Sequence, residues 1–504
     1  MSITSVTFLL FVAVSLMIYW QLPSKYQWWV LLADSLIFYF LNAEAYTFIY
    51  LLTSVVSVYF ATIFFEKEEN IKRKRIVLTG TLIINMGILA ILKYTNLLLK
   101  TINYLGGGRT NLGLVSWYSS LAVSFYTLQI VAYLLDIYWG VTYRETNILK
   151  LLLFTSYFPL MISGPISMHE QLGRQLFEEH RFDYDRVTTG VRRIAWGLAK
   201  KVVVADRMTI PVSYMFRNTE TFSGLWIFVA GLSFMIELYF DFSGCMDIII
   251  GVSQCFGIIL DENFKAPFLS KSVQEFWQRW HITLGRWLKN YVMYPLLKTE
   301  RFIALATRCK KLYGKAGRKI PSYIAMLAVW FLIGLWHGDS WKYILGQGLW
   351  FWLIIVFGQV MEPLFKRWKK ALRIDDQHLC WNAFQVCRTM LLCSIGMIFF
   401  NATDLWAAFH MIGQIFAPTH LIEPLRSLLS GVWALFGGKL SLAGVTIIVM
   451  MQVIADFRVY GGKDVQVLIK CRPWFVRWAG YFAFVFFILL TGSFGKSSFI
   501  YFGF

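Results

Sequence analysis

Runs of 16 or more residues with almost no charge recur from residue 5 to residue 493, and they restrict the chain more than any other feature. They fall at 5–20, 28–43, 46–65, 76–99, 114–138, 148–168, 222–260, 321–361, 385–402, 440–455 and 474–493, with 321–361 long enough for two. In hydrocarbon every backbone polar group must be satisfied within the segment, so apolar runs of about 20 residues become helices. An all-α polytopic membrane protein of roughly eleven to thirteen crossings is predicted. Only 15% of the 504 residues are charged, which leaves no interval for a water-soluble unit. The chain reads as one membrane domain, 1–504: N-terminal spans at 1–168, interfacial helices and acidic spans at 169–260, a two-histidine core at 261–362, and C-terminal spans with an aromatic tail at 363–504.

The net charge of +19 would raise nucleic acid as a partner for a soluble protein, but here the basic residues cluster between apolar spans. The clusters are Glu66 to Arg75, Lys298 to Lys319 with eight basic residues and one acid, Lys366 to Arg373, and Arg458 to Arg477. Short basic loops mark the cytoplasmic face. With three spans ahead of 66–75, the N-terminus is expected outside the cytoplasm. Solvated loops on an anionic lipid surface account for most of this charge; a site for an acidic cytoplasmic donor at Lys298 to Lys319 is the minor alternative. The run Val6 to Trp20 has neither a basic leader nor a small-residue cleavage pattern, and reads as a retained span. The seven cysteines form no C-x-x-C pair and look like small core fillers. Residues 170–207 are too charged to span and too apolar for a plain loop, so an interfacial helix is expected there.

Two histidines stand out. On a continuous helix from Glu275 to Tyr291, Gln278, Arg279, Arg286, Lys289 and Asn290 share one face, and Trp277, Trp280, Leu284, Trp287, Leu288 and Tyr291 the other, with His281 beside them. Such a helix lies along or dips into the bilayer; a packed core histidine is an equal alternative for His281. The run 321–361 carries only Asp339 and Lys342 as charges between strongly basic flanks, so it should leave the cytoplasm and return. That hairpin places His337 at its bend, between Gly334 and Gly338. An ionisable residue at such a place is a functional hypothesis by default, against the alternative of a capping histidine at an outer loop. His169, His180, His378, His410 and His420 have no partner at metal-ligand spacing, and no metal is predicted. Glu237, Asp241 and Asp247 lie inside 222–260. Glu237 and Asp241, four apart, need a counter-charge, for which Arg279 or Arg286 is the expected source.

No G-x-S-x-G elbow, Walker A loop or dinucleotide fingerprint occurs. What does occur is DENFKAPFLSKSVQEFWQRWHITLGRWLKNYVMYP from Asp261 to Pro295 together with GLWHG at Gly334 to Gly338. These resemble the membrane-bound O-acyltransferase superfamily, and within it the alginate O-acetyltransferase membrane-subunit branch. SFYTLQIVAYLLDIYWG (Ser124 to Gly140), FPLMISGPI (Phe158 to Ile166) and YFDFSG (Tyr239 to Gly244) follow the same resemblance. It departs from the family's pattern at Gln278, Asn290, Cys245 and Leu297–Lys298.

The resemblance implies a ring of tilted transmembrane helices around a central funnel, with His337 catalytic and His281 a second motif histidine. Trp280, Arg279, Asn290, Trp336 and Asp241 are the candidate substrate- or donor-binding residues. It implies no permanently bound cofactor, acetyl-CoA or another acyl thioester as the donor substrate, and a bacterial inner-membrane location. The implied partners are an extracytoplasmic acetyltransferase or a small acyl-relay protein, with the polysaccharide synthesis machinery. The C-terminus, SSFIYFGF, resembles the tail of the small partner in the D-alanyl branch, which makes Tyr501 a candidate acyl relay; an aromatic anchor at the membrane surface is the plainer reading. The rival functions are D-alanyl or other acyl transfer to teichoic acid and a proton- or ion-coupled transporter using Glu237, Asp241 and His337.

Overall fold

The computed structural model describes residues 1–107, 110–115, 122–418, 422–463, 469–495 and 500. It is an all-α membrane protein; among the described residues the only extended pairing is a single antiparallel bridge, Phe264 to Trp280. Eight of these helices are long and apolar enough to cross a bilayer: Ala45–Lys67, Ile71–Leu105, Trp226–Cys255, Ile320–His337, Lys342–Ala371, Leu379–Asn401, Lys439–Tyr460 and Trp474–Thr491. Val6–Gln21, Val123–Tyr138 and Leu405–Phe416 are apolar but shorter. Trp226–Cys255 is the most enclosed of the eight, with 72% of its apolar window buried.

Several expected boundaries move, each for a local reason. The run 148–168 is not one span: helix Ile148–Ser156 stops at Tyr157 and a single turn, Leu160–Ser163, restarts after Pro159, whose ring nitrogen has no hydrogen to continue the ladder. Helix Ile71–Leu105 starts inside the first charge cluster because the Asn70 carboxamide accepts from the Lys72 and Arg73 N–H groups, supplying the cap an N-terminus needs. The basic run at Lys298 to Lys319, expected as a loop, is the helix Glu300–Gly317, bent at Gly314 where φ is +61°. The interfacial stretch is a series of pieces, His169–Phe177, Tyr184–Leu198, a π-helical turn Ala199–Ala205 and Asp206–Arg217. Of the cysteines, Cys245, Cys255, Cys309 and Cys393 are buried and Cys380, Cys387 and Cys471 exposed, so only four fill a core.

By packing, the described chain divides into two compact units. The first comprises Met1–Gly197 and Cys245–Glu262; in it Arg193 is held by Asp247 at 2.9 Å and Glu262 at 2.5 Å. The second comprises Leu198–Gly244 and Asn263–Ile500 and contains both singled-out histidines. Its centre is the expected hairpin. Ile320–His337 begins with Pro321 in its first turn, where a missing N–H costs nothing. The return arm opens as a π-helical segment, Lys342–Gly348, and continues as Leu349–Ala371. The arms meet through glycine. A Cβ on Gly334 would lie 2.6 Å from the Ile344 Cα, and one on Gly348 would lie 2.6 Å from the Trp330 carbonyl oxygen. Neither place has room for any side chain.

Candidate active site

The segment around His281 is not the continuous helix the periodicity predicts. A first helix, Val273–Arg279, is started by Ser272, whose hydroxyl accepts from the Glu275 N–H. It ends at Trp280, which is extended and bridges to Phe264, and the chain turns through His281 at φ +48°, ψ +51°. A second helix, Ile282–Leu288, then begins. Few non-glycine residues adopt the left-handed region, and histidine is among the more tolerant. The break is clamped from outside by Asn263: its carbonyl accepts from the Ile282 N–H at 3.1 Å, and its side-chain oxygen from the Thr283 N–H at 3.0 Å and hydroxyl at 2.8 Å. Lys265 N–H donates to the Arg279 carbonyl at 3.0 Å. A helical wheel cannot carry across such a break.

This turn buries His281 to 3% exposure, edge-on to Phe242 with ring centres 4.9 Å apart. Burial holds its imidazole far below the ordinary value, at about 3, so the ring is neutral across physiological pH. Sequence alone does not show Asn263 as the clamp, since nothing in its spacing singles it out from the other residues of the 261–295 motif.

His337 is the last residue of its helix, and Gly338 leaves it in an extended conformation. The imidazole is 3% exposed, edge-on to Phe400 at 5.1 Å and tilted to Tyr343 at 6.4 Å. A Cβ on Gly338 would sit 2.7 Å from the Tyr343 ring, which is why the bend carries glycine beside the histidine. Lys342 fixes the bend by donating to the Ala402 carbonyl at 2.5 Å, just past the helix that bears Phe400.

Helix Trp226–Cys255 links the two histidine environments. Its Phe234 meets Phe400 at 5.8 Å and its Phe242 meets His281; eight residues apart, these contacts are separated by about 12 Å along the axis. Tyr239 between them packs on Phe268 at 4.8 Å and Trp280 at 5.9 Å and accepts a hydrogen bond from Gln452.

The other predicted site residues disperse. Trp280 is buried beside His281, stacked on Phe276, and Trp336 is buried beside His337. Arg279 turns to Glu275 and the Lys265 carbonyl, and Asn290 is exposed in a π-helical turn, Lys289–Met293. Tyr501 and His420 lie outside the described residues. The counter-charge for the acids is neither expected arginine: Lys201, 2% exposed, reaches Asp241 at 2.6 Å and Asp206 at 2.8 Å, while the Thr209 hydroxyl donates to Glu237 at 2.7 Å. Burial lowers the affinity of Lys201 for its proton, but the two carboxylates outweigh it and hold the ammonium above its ordinary value. Sequence reasoning missed Lys201 because it sits in a stretch read as interfacial.

The low value for His281 carries a pH signature. Its folded pKa lies below the unfolded value of about 6.5, so its contribution to stability is complete above pH 6.5 and is lost as the pH falls toward 3. Thermal midpoints of the detergent-solubilised protein should drop over pH 6.5 to 4, and His281→Asn, which tolerates the same backbone, should flatten that slope. An unchanged slope would remove His281 as its cause.

An apolar helix closed by a buried histidine, and a second buried histidine held at a strained break, mark a polytopic helical membrane protein with two imidazoles enclosed in its body. Comparison with known proteins names the class. The model of the membrane-bound O-acyltransferase family matches residues 141–307, which include His281. The chain is 30% identical over 359 residues to the probable alginate O-acetylase of Pseudomonas putida, covering 69% of this chain and 67% of that one. It is 29% identical over 391 residues to the probable alginate O-acetylase of Pseudomonas syringae pv. tomato, covering 76% and 66%. With the peptidoglycan O-acetyltransferase of Helicobacter pylori it shares 30% identity over 348 residues, 63% and 61%. The matches thus span about two thirds of each relative's length or slightly less. The chain belongs to the membrane-bound O-acyltransferase family.

Proposed function

We propose that this chain moves an acyl group, in the simplest case acetyl, from a cytoplasmic acyl thioester across the membrane, for O-acylation of an exported polysaccharide. The observation that carries the reading is His337, a buried imidazole ending an otherwise uncharged apolar helix at the hairpin bend. A neutral imidazole takes the proton of an attacking hydroxyl while its oxygen bonds to the thioester carbonyl carbon. The tetrahedral intermediate then expels the sulfur, the C–S bond breaks, and the proton passes from the imidazolium to the thiolate. Ester and free thiol are the products. The ring is closed to bulk water at 3% exposure, so entry of reactants requires the aromatic shell of Phe400 and Tyr343 to part. His281 supports the site by orienting a reactant or the neighbouring Trp280. The final acceptor hydroxyl belongs to the polymer, reached through an extracytoplasmic acetyltransferase or through Tyr501 as a relay. The similarity to alginate and peptidoglycan O-acetylases supports a cell-envelope or exported polymer as the acceptor.

The test is a deletion strain complemented with the wild-type chain, with base-labile acetate and D-alanine measured separately on exported polysaccharide, peptidoglycan and teichoic acid. Acetate that disappears on deletion and returns on complementation is expected on one polymer. D-alanine loss would move the assignment to the D-alanyl rival, and no change in any acyl ester would remove the reading. Tyr501→Phe in the same strain should lower the acetate if the tail is the relay and leave it unchanged if the tail is an anchor.

A further inference from the structure

The π-helical segment Lys342–Gly348 contains one buried polar side chain that the mechanism above does not use. Gln347 is 1% exposed, and its side-chain oxygen is fully enclosed with no hydrogen-bond partner among the described residues. A buried carboxamide oxygen without a partner gives up its hydration with nothing in return, a penalty that an apolar residue of similar size would not carry there. Its immediate neighbours are committed to packing: a Cβ on Gly348 would meet the Trp330 carbonyl, and Gly346 is pressed against the Phe399 ring. Short π-helical segments within α-helices are frequent at functional sites.

The hairpin register locates Gln347 relative to the reaction. Gly334 lies level with Ile344, and Gly348 level with Trp330, so Gln347 lies level with residue 331, six residues from His337 along the first arm. That is about 9 Å toward the Ile320 end. The Ile320 end follows the basic helix Glu300–Gly317, which the positive-inside rule assigns to the cytoplasm, the side from which a thioester donor arrives. A donor whose carbonyl carbon is at His337 and whose arm runs back toward that side passes the level of Gln347 along the hairpin. The arm of a pantetheine-type thioester carries secondary amides a few bonds from the sulfur, and each offers one N–H and one carbonyl, the complement of a carboxamide.

We propose that Gln347 is a donor-binding residue, its carboxamide hydrogen-bonding a secondary amide of the thioester arm while His337 acts on the acyl carbonyl. This rests on the acyl-thioester reading above and adds the recognition of the arm. The test uses the full chain in nanodiscs and two ligands: labelled S-acetylpantetheine, and an acetyl thioester of equal length whose two amides are replaced by methylene groups. The wild type should bind the amide-bearing ligand at least tenfold more tightly. Gln347→Leu, with Gln347→Met as a second variant should the first fail to insert, should lose that tenfold and bind the hydrocarbon-arm ligand as the wild type does. His337→Gln should keep the preference. A leucine or methionine variant that binds both ligands like the wild type, or loses both equally, overturns the assignment. If the wild type binds neither, the thioester reading itself falls, a failure separable from that of Gln347 because no variant is needed to see it.

Discussion

Replacing His337 with Gln should lower ester-linked acetate on the target polymer by roughly 10²- to 10⁴-fold, the range expected for loss of a general base. The protein should remain inserted and folded, because glutamine nearly matches the ring in volume and still presents polar atoms to the same enclosure. The bend does not depend on the imidazole: Gly338 makes room for Tyr343, and Lys342 ties the turn to the Ala402 carbonyl. Fluorescence-detected size exclusion of a tagged chain checks folding, and acetate released by mild alkali checks transfer. A His337→Gln protein that is folded and acetylates at more than a tenth of the wild-type level would remove proton abstraction by His337 from the mechanism.

The second large effect concerns stability. Lys201→Met leaves Asp206 and Asp241, 7% and 0% exposed, without the ammonium that both of them contact. Removing one partner of a buried ion pair destabilises by about 3–5 kcal/mol, so the variant should show a sharply lower thermal midpoint or fail to accumulate. Replacing all three, as Lys201→Met with Asp206→Asn and Asp241→Asn, should recover most of the loss, because the penalty lies in the stranded charges. The pH dependence follows from the raised pKa of Lys201. The stabilisation through this group is fully present below its unfolded value of about 10.5 and fades only above the higher folded one, so no loss through Lys201 is expected between pH 5 and 9. A single variant as stable as the wild type would show that the cluster is dispensable.

Much of this was legible in the sequence because membrane helices announce themselves. Charge-poor runs located most of the crossings, and the basic flanks with a glycine on either side of His337 indicated a hairpin bend that the structure contains. Residues whose role depends on a break in periodicity were not legible. Periodicity puts His281 on a continuous helical wheel, yet Asn263, eighteen positions earlier, takes over the hydrogen bonds of Ile282 and Thr283 and stops the helix. Lys201 is hidden for a related reason: beside Lys200 in the charged 170–207 stretch it reads as part of an interfacial helix, and only its contact with the Trp226–Cys255 helix shows that Asp241 is a partner. Gln347 carries no spacing signal at all; its candidacy comes from a buried, unpartnered carboxamide oxygen inside the hairpin that also holds His337.

The glycine contacts of the hairpin bear on how cargo can travel. With backbone against side-chain-free backbone at residues 334 and 348, the two arms leave no slot between them. The outer side of the pair is lined instead by Phe399, against Gly346, and by Phe400, against His337 and Tyr343, and under the proposed acyl transfer that is the side a cargo would meet. Substitutions meant to admit a bulkier group belong on that side, since carving at the glycines would pry the arms apart instead of enlarging a passage.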